Sequence, residues 1–130
     1  MTGTDTMTNV DAIVVAYFAM WNETDPAARR AIITATWSPE ASYLDPLFAA
    51  DGYDALDAMV AGVHRQFPDH RFRLTGPVDV HHDRARWGWE LAGPGSTPIV
   101  VAGIDFAMFA PDGRLRAVTG FFEQPTSPAA

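Results

Sequence analysis

The chain has 130 residues, 48% of them hydrophobic, and a net charge of −7 with no lysine at all. That length suits one ordinary domain with a real core, and the acidic balance argues against nucleic acid and anionic membrane surfaces as partners. Cysteine is absent, which excludes disulfides, thiolate catalysis and cysteine metal sites.

Residues 1–7 are small and polar, and a disordered tail is expected there, with one domain over 8–124. The start, "MTGTDTMTNVD", has no basic region followed by an apolar run, so no signal peptide is read. The apolar run "AIVVAYFAMW" is far short of a membrane span of about 20 residues. A cytoplasmic protein is the default expectation.

"TNVDAIVVAYFAMWNET" predicts a first helix, with Thr8 as cap and Asp11 near the positive end of its dipole. Ile13, Tyr17, Met20 and Trp21 share a face, and the all-round apolarity suggests burial on more than one side. Asp25-Pro26 restarts a helix, a cap followed by proline where its missing N–H is harmless. That helix is expected to reach Trp37, where Ser38-Pro39 breaks it. "ASYLDP" follows as a short strand and "LFAADGYDAL" as a loop. A third helix is predicted over about 53–66, with Leu56, Met59, Val60 and Val63 on its apolar face.

The periodicity then changes. "RFRLTGPVDVHH" and "RARWGWELAG" alternate, the second placing Ala85, Trp87, Trp89 and Leu91 on one side. The arginines at 71, 73, 84 and 86 fall on the other side, as on a solvated sheet face. "GPGSTP" is a turn cluster. "IVVAGIDFAMF" is nearly all apolar, and a central strand buried on both faces is expected. "APDGRL" holds a turn, "LRAVTGFFEQ" is the last strand, and residues 125–130 form a loose tail. Three helices ahead of a run of strands predict an α+β fold, with the helices packed on a strongly curved, mostly antiparallel sheet. Such a cone has an interior, the usual place for a small molecule.

Several chemistries lack their motifs. There is no GxSxG, no GxxxxGK[ST] and no HExxH. His81 and His82 are adjacent on a strand and are expected to point to opposite faces. His64 and His70 are separated by a helix end, and no metal site is expected. His64 reads as a rim or packing residue more than as a base.

Three polar groups stand in apolar company: Tyr17 in the first helix, Asp45 in "YLDP", and Asp105 inside "VVAGIDFAMF". A carboxylate in so apolar a strand raises its pKa or finds a partner. Each residue has two readings. Tyr17 is a core tyrosine or a hydrogen-bond donor. Asp45 is a turn residue accepting N–H bonds or a base aimed into a pocket. Asp105 pairs with an arginine such as Arg86, or stays buried and functional.

From about Val10 to Glu123 the chain resembles the nuclear transport factor 2-like superfamily, which includes SnoaL-like polyketide cyclases and ketosteroid isomerases. "VVAYFAMWNETD", "ASYLDP", "VVAGIDFAMF" and "GRLRAVTGFF" carry the likeness. The polar pattern is most similar to ketosteroid isomerase. That resemblance implies Asp45 as the base, with Tyr17 and a protonated Asp105 as oxyanion donors. It implies no cofactor, a hydrophobic steroid- or polyketide-like carbonyl compound as ligand, and isomerase or aldol-type cyclase chemistry. The expected pocket is formed by Trp21, Phe48, Met59, Val63, Trp87, Trp89 and Phe122. "LDPLF" departs from the resembling isomerases, and Leu47 and Phe48 would narrow the mouth. Epoxide hydrolases of this fold want an acid where this chain has Gly120 and Phe121, which demotes that reaction. The superfamily also implies a homodimer through the outer sheet face, with Arg71, Arg73, Arg84 and Arg86 near it. The rival reading is a non-catalytic ligand-binding or interaction module.

Overall fold

The structure, a computed structural model, describes residues 3–95 and 98–123. The expected tail at 125–130 and two residues of the turn cluster, Ser96 and Thr97, lie outside the described residues.

Three helices come first in chain order: α1 (Gly3–Asn22), α2 (Pro26–Thr36) and, after two strands, α3 (Tyr53–Gln66). The strands are β1 (Trp37–Leu44), β2 (Ala49–Asp51), β3 (Arg71–Leu74), β4 (Asp79–His81), β5 (Arg84–Ala92), β6 (Ile99–Phe109) and β7 (Leu115–Phe122). They form one seven-stranded sheet in the order β2-β1-β7-β6-β5-β3, with β4 also paired to β5. The architecture is α+β, with the helices packed on a curved, mostly antiparallel sheet. The exception is β1, which runs parallel to β7.

Local chemistry explains most boundaries. Asp25 caps α2 by accepting the Ala28 amide at 2.8 Å, and Pro26 follows in the first turn. Gly52 enters α3 at a φ of 87°, a conformation that a Cβ would strain. The Ala110–Arg114 turn joins β6 to β7. Other boundaries differ from expectation. α1 begins at Gly3, so Thr8 sits inside it; no glycine or proline interrupts the run up to Asn22. Ser38 and Pro39 do not separate α2 from β1 but belong to β1, whose extended backbone suits proline. The expected loop after Pro46 contains β2, and "RFRLTGPVDVHH" is broken into β3 and β4 around Gly76-Pro77.

Burial corrects two further points. α1 buries one face, with Val10, Val14, Tyr17, Met20 and Trp21 in the core, while Val15 is 70% exposed. β6 buries Gly103, Asp105 and Ala107 but leaves Phe106 45% exposed, because helices cover only the concave face of the sheet. Antiparallel partners share a face, and the registers Arg84↔Met108, Arg86↔Phe106, Arg73↔Glu90 and Arg71↔Ala92 put all four arginines on the convex side. Phe106 and Phe121 meet edge to face there. The helix layer is tied together by Arg29, which is buried, donates to Asp57 at 2.5 Å and reaches the Glu23 carbonyl at 2.8 Å.

Candidate active site

The concave face brings three elements to one point. α1 delivers Tyr17, packed edge-on against Trp87 at 5.2 Å between ring centres. β6 delivers Asp105, 3% exposed, directly opposite Trp87 on β5. The end of β1 delivers Tyr43 and, just beyond the strand, Asp45.

Between them lies a cavity of about 60 Å³. Phe18, Trp21, Val63, Phe67, Phe72 and Phe122 supply its apolar wall, and Tyr17, Tyr43, Asp45, Asp105 and Trp89 bring polar atoms to it. Of the expected pocket residues, Trp21, Phe48, Val63, Trp89 and Phe122 line it, and Met59 and Trp87 do not. Met59 packs into the core on α3, one turn before Val63, and Trp87 lies beneath the Tyr17 ring. Leu47 stands at the mouth, 72% exposed, with Phe48 beside it in the lining.

The Tyr17 hydroxyl donates to Asp105 Oδ2 at 2.8 Å. Among the described residues no arginine pairs with Asp105; Arg86 pairs with Asp79 on the convex side instead. Burial pushes the Asp105 pKa up to about 7. The Tyr17 hydroxyl and the Trp89 indole act against that rise, the negative charge of Asp45 adds to it, and the Trp87 indole opposes it weakly. The two indole N–H groups therefore stand near the carboxyl, yet neither meets an oxygen in bonding geometry. Asp105 Oδ1, Trp87 Nε1 and Trp89 Nε1 are all buried without a partner in bonding geometry among the described residues. Burial also holds the Tyr17 hydroxyl well above its ordinary value, helped by the charge of Asp105.

Asp45 is a turn residue that also borders the cavity. Its Oδ1 accepts the backbone amides of Leu47 and Phe48, each at 2.8 Å, as a turn aspartate does. Its Oδ2 accepts the Tyr43 hydroxyl at 2.6 Å at the cavity wall. Tyr43 has no part in the sequence reading of the site. Its only signal there is a place two residues before Asp45, which puts both near one face of an extended segment. Burial raises its pKa, with the charges of Asp105 and Asp45 adding to the rise.

Gly120 on β7 makes this convergence possible. A Cβ there would fall 2.8 Å from Asp105 Oδ1 and 3.3 Å from Asp45 Cβ. The two aspartates thus flank a position where any side chain would make the Asp105 carboxyl shift.

The histidines stand apart from this point. His64 Nε2 bonds the Trp21 carbonyl at 2.6 Å, a packing role. His81 and His82 do not face opposite ways. His82 leaves the strand at a φ of 51°, and the two Nδ1 atoms come within 3.0 Å. Among the described residues, no group of three or more His, Cys, Asp or Glu side chains is placed to hold a metal ion. No helix among them is long and apolar enough to cross a membrane.

A curved sheet closed by helices around an apolar, aspartate-floored cavity defines the class of cone-shaped α+β proteins with an internal pocket. Residues 14–118 match the SnoaL-like domain, and the chain belongs to that family. Among solved structures it is similar to a candidate isomerase of the SnoaL-like family from Agrobacterium tumefaciens. The two are 32% identical, with a TM-score of 0.84 over 90% of this chain and 99% of that one. A candidate SnoaL-like polyketide cyclase from Jannaschia sp. is 20% identical, with a TM-score of 0.65 over 85% of each chain. A protein of ketosteroid isomerase-like fold from Catenulispora acidiphila, in complex with trimethylamine, is 15% identical, with a TM-score of 0.69 over 90% of this chain and 89% of that one. At such identities the last two speak for the fold alone. No curated protein matches the chain.

Proposed function

We propose that this SnoaL-like protein shifts a proton on a compact hydrophobic carbonyl compound without a cofactor, as an isomerase or an aldol-type cyclase. The observation that carries the reading is the pair of aspartates on one cavity in opposite surroundings. Asp105 is buried, with a pKa pushed up to about 7, so it has a proton to share near neutrality. Asp45 is half-exposed and anchored through Oδ1 by two amides, with Oδ2 turned to the Tyr43 hydroxyl at the cavity wall.

In this scheme Asp45 Oδ2 takes a proton from the carbon next to the carbonyl. The electron pair of that C–H bond moves into the enolate, and charge grows on oxygen. Protonated Asp105, held by Tyr17, donates a hydrogen bond to that oxygen. Preorganised donors of this sort contribute about 3 kcal/mol each to lowering such a barrier. Asp45 then returns the proton at another carbon, or the enolate carbon attacks a second carbonyl to close a ring and the alkoxide so formed takes the proton from Asp45. The Agrobacterium tumefaciens relative, a candidate isomerase, supports the first outcome. The 60 Å³ cavity favours a smaller ligand than the expected steroid unless Leu47 and Phe48 swing aside.

Deuterium wash-in tests the reading. Cyclic ketones and β,γ-unsaturated ketones of increasing ring number are incubated in heavy water and followed by NMR. Protein-dependent exchange that Asp45→Asn removes supports the base. One observation favours the rival reading of a binding module: both Asp45 oxygens already accept hydrogen bonds. Ligand binding with no exchange across the whole panel would establish that alternative. The homodimer expected through the convex face has the exposed pair Phe106 and Phe121 to use. Sedimentation of the wild type against Phe121→Glu tests it.

A further inference from the structure

In the function proposed above, on which this inference rests, a ligand oxygen meets Asp105 on the cavity floor, and the open point is which other donor touches that oxygen. Tyr17 is poorly placed for direct contact. Its hydroxyl, although at the cavity wall, is already given to Asp105 Oδ2 at 2.8 Å. With Oδ2 occupied, the open side of the Asp105 carboxyl is Oδ1, which has no partner in bonding geometry among the described residues.

A second polar atom shares this spot. Trp89 lines the cavity, is 6% exposed, and has a buried Nε1 that stands near the Asp105 carboxyl without meeting it, or any other acceptor among the described residues, in bonding geometry. An indole N–H buried without an acceptor costs about 1–3 kcal/mol, which an acceptor brought by a ligand would recover. Its position is built, not incidental. The indole lies against Gly103, where a Cβ would come 2.6 Å from Trp89 Cζ2 and 2.9 Å from Cε2, the carbon that bears Nε1. Gly103 and Asp105 are two apart on β6 and point to the same concave face, so the N–H edge of the ring is laid beside the carboxyl. Phe72 and Phe122 hold the ring from its other sides, at 5.7 and 5.9 Å between centres. Trp87 has an unpartnered N–H too, but it does not line the cavity.

We propose that the Trp89 indole N–H donates directly to the ligand oxygen, side by side with Asp105 Oδ1, and that Tyr17 is a positioning residue acting through Asp105. The cavity floor then recognises one oxygen with two donors, one of them an indole that no titration can switch off. The ligand class is a compact apolar compound carrying a single carbonyl or enol oxygen at its buried end.

The test compares 2-naphthol with naphthalene, which has the same rings and no oxygen, on the wild type and on Trp89→Phe. The variant is expected to bind 2-naphthol about tenfold or more weakly, the range for a hydrogen bond to a charged or strongly polar acceptor, and to bind naphthalene within about twofold of the wild type. A wild-type indole NMR spectrum gives a readout that needs no variant. The chain has four tryptophans, and contacts to the Phe72 and Phe122 rings mark the Trp89 signal. That indole proton should move downfield with 2-naphthol and not with naphthalene. Equal loss of both ligands in Trp89→Phe, or an indole signal indifferent to the hydroxyl, overturns the proposal and leaves Trp89 as wall alone. A wild type with no preference for 2-naphthol over naphthalene removes the oxygen-binding function itself, and this inference with it.

Discussion

The Tyr17 hydroxyl donates to Asp105 Oδ2 at 2.8 Å, joining residues 88 positions apart in the chain. One bond thereby couples the first helix to a central strand at the floor of the cavity. It also makes the two carboxyl oxygens unequal: Oδ2 accepts the Tyr17 hydroxyl, and Oδ1 has no partner among the described residues.

Removing that bond should be visible at Asp105. Tyr17→Phe takes away a donor that opposes the effect of burial, so the Asp105 pKa should rise above about 7. The unpaired Oδ2 should also lower stability by about 1–3 kcal/mol. A carboxyl-carbon NMR titration checks the first outcome, and urea unfolding the second.

The same carboxyl makes stability depend on pH. Its folded value of about 7 lies above the ordinary 3.8. A raised value means that folding favours the protonated form, so the contribution is fully present below pH 3.8 and is lost as pH climbs through 7. The span corresponds to a loss on the order of 4 kcal/mol. Wild type should therefore lose stability relative to Asp105→Asn between pH 4.5 and 8. Urea midpoints of the two proteins that stay parallel across that range would contradict the raised pKa.

Asp45→Asn should separate chemistry from folding. Asparagine keeps an oxygen for the Leu47 and Phe48 amides and turns Nδ2 toward the Tyr43 hydroxyl, which can accept from it, so the turn should hold and the melting temperature should fall less than in Asp45→Ala. Ketone exchange should fall by about 10²–10⁴-fold, the range for losing a general base. Asp45→Ala, which also loses the turn bonds, should melt lower. Thermal unfolding beside the deuterium assay distinguishes the two variants.

Gly120→Ala probes the convergence of the two aspartates. The new methyl would sit 2.8 Å from Asp105 Oδ1 and 3.3 Å from Asp45 Cβ, so one of them must move. Crowding of this kind costs about 1–3 kcal/mol. The variant should unfold at lower urea and bind 2-naphthol more weakly. Wild-type affinity and stability together would mean that the floor is looser than these distances imply.

Much of the fold was legible because the signals are local. The Asp25-Pro26 cap, the bounds of α3 and the alternation that separates Trp87 and Trp89 from Arg84 and Arg86 follow from neighbours a few residues away. What was missed depends on more distant neighbours. β2 is three residues long and exists only because it pairs with β1. The half-exposed side of β6 follows from a helix layer that covers one face, which its apolar sequence does not reveal. His82 turns back on His81 because a positive φ, not strand alternation, governs it.

The candidate site divides in the same way. Tyr17, Asp45 and Asp105 stand out in the sequence, because polar groups in apolar runs are expensive and such runs are read by counting. Sequence by itself thus determined the α+β class, the two sheet faces and three of the polar residues on the cavity. Only the tertiary structure decided that Tyr17 bonds Asp105 instead of facing the cavity with a free hydroxyl, that Tyr43 holds Asp45, and that Trp89 lies on Gly103 with its N–H unspent. The physical reason is that a hydrogen bond depends on contact distance and direction, which are fixed by how side chains from separate elements pack together. Periodicity reports which face a residue is on, and not what it touches there.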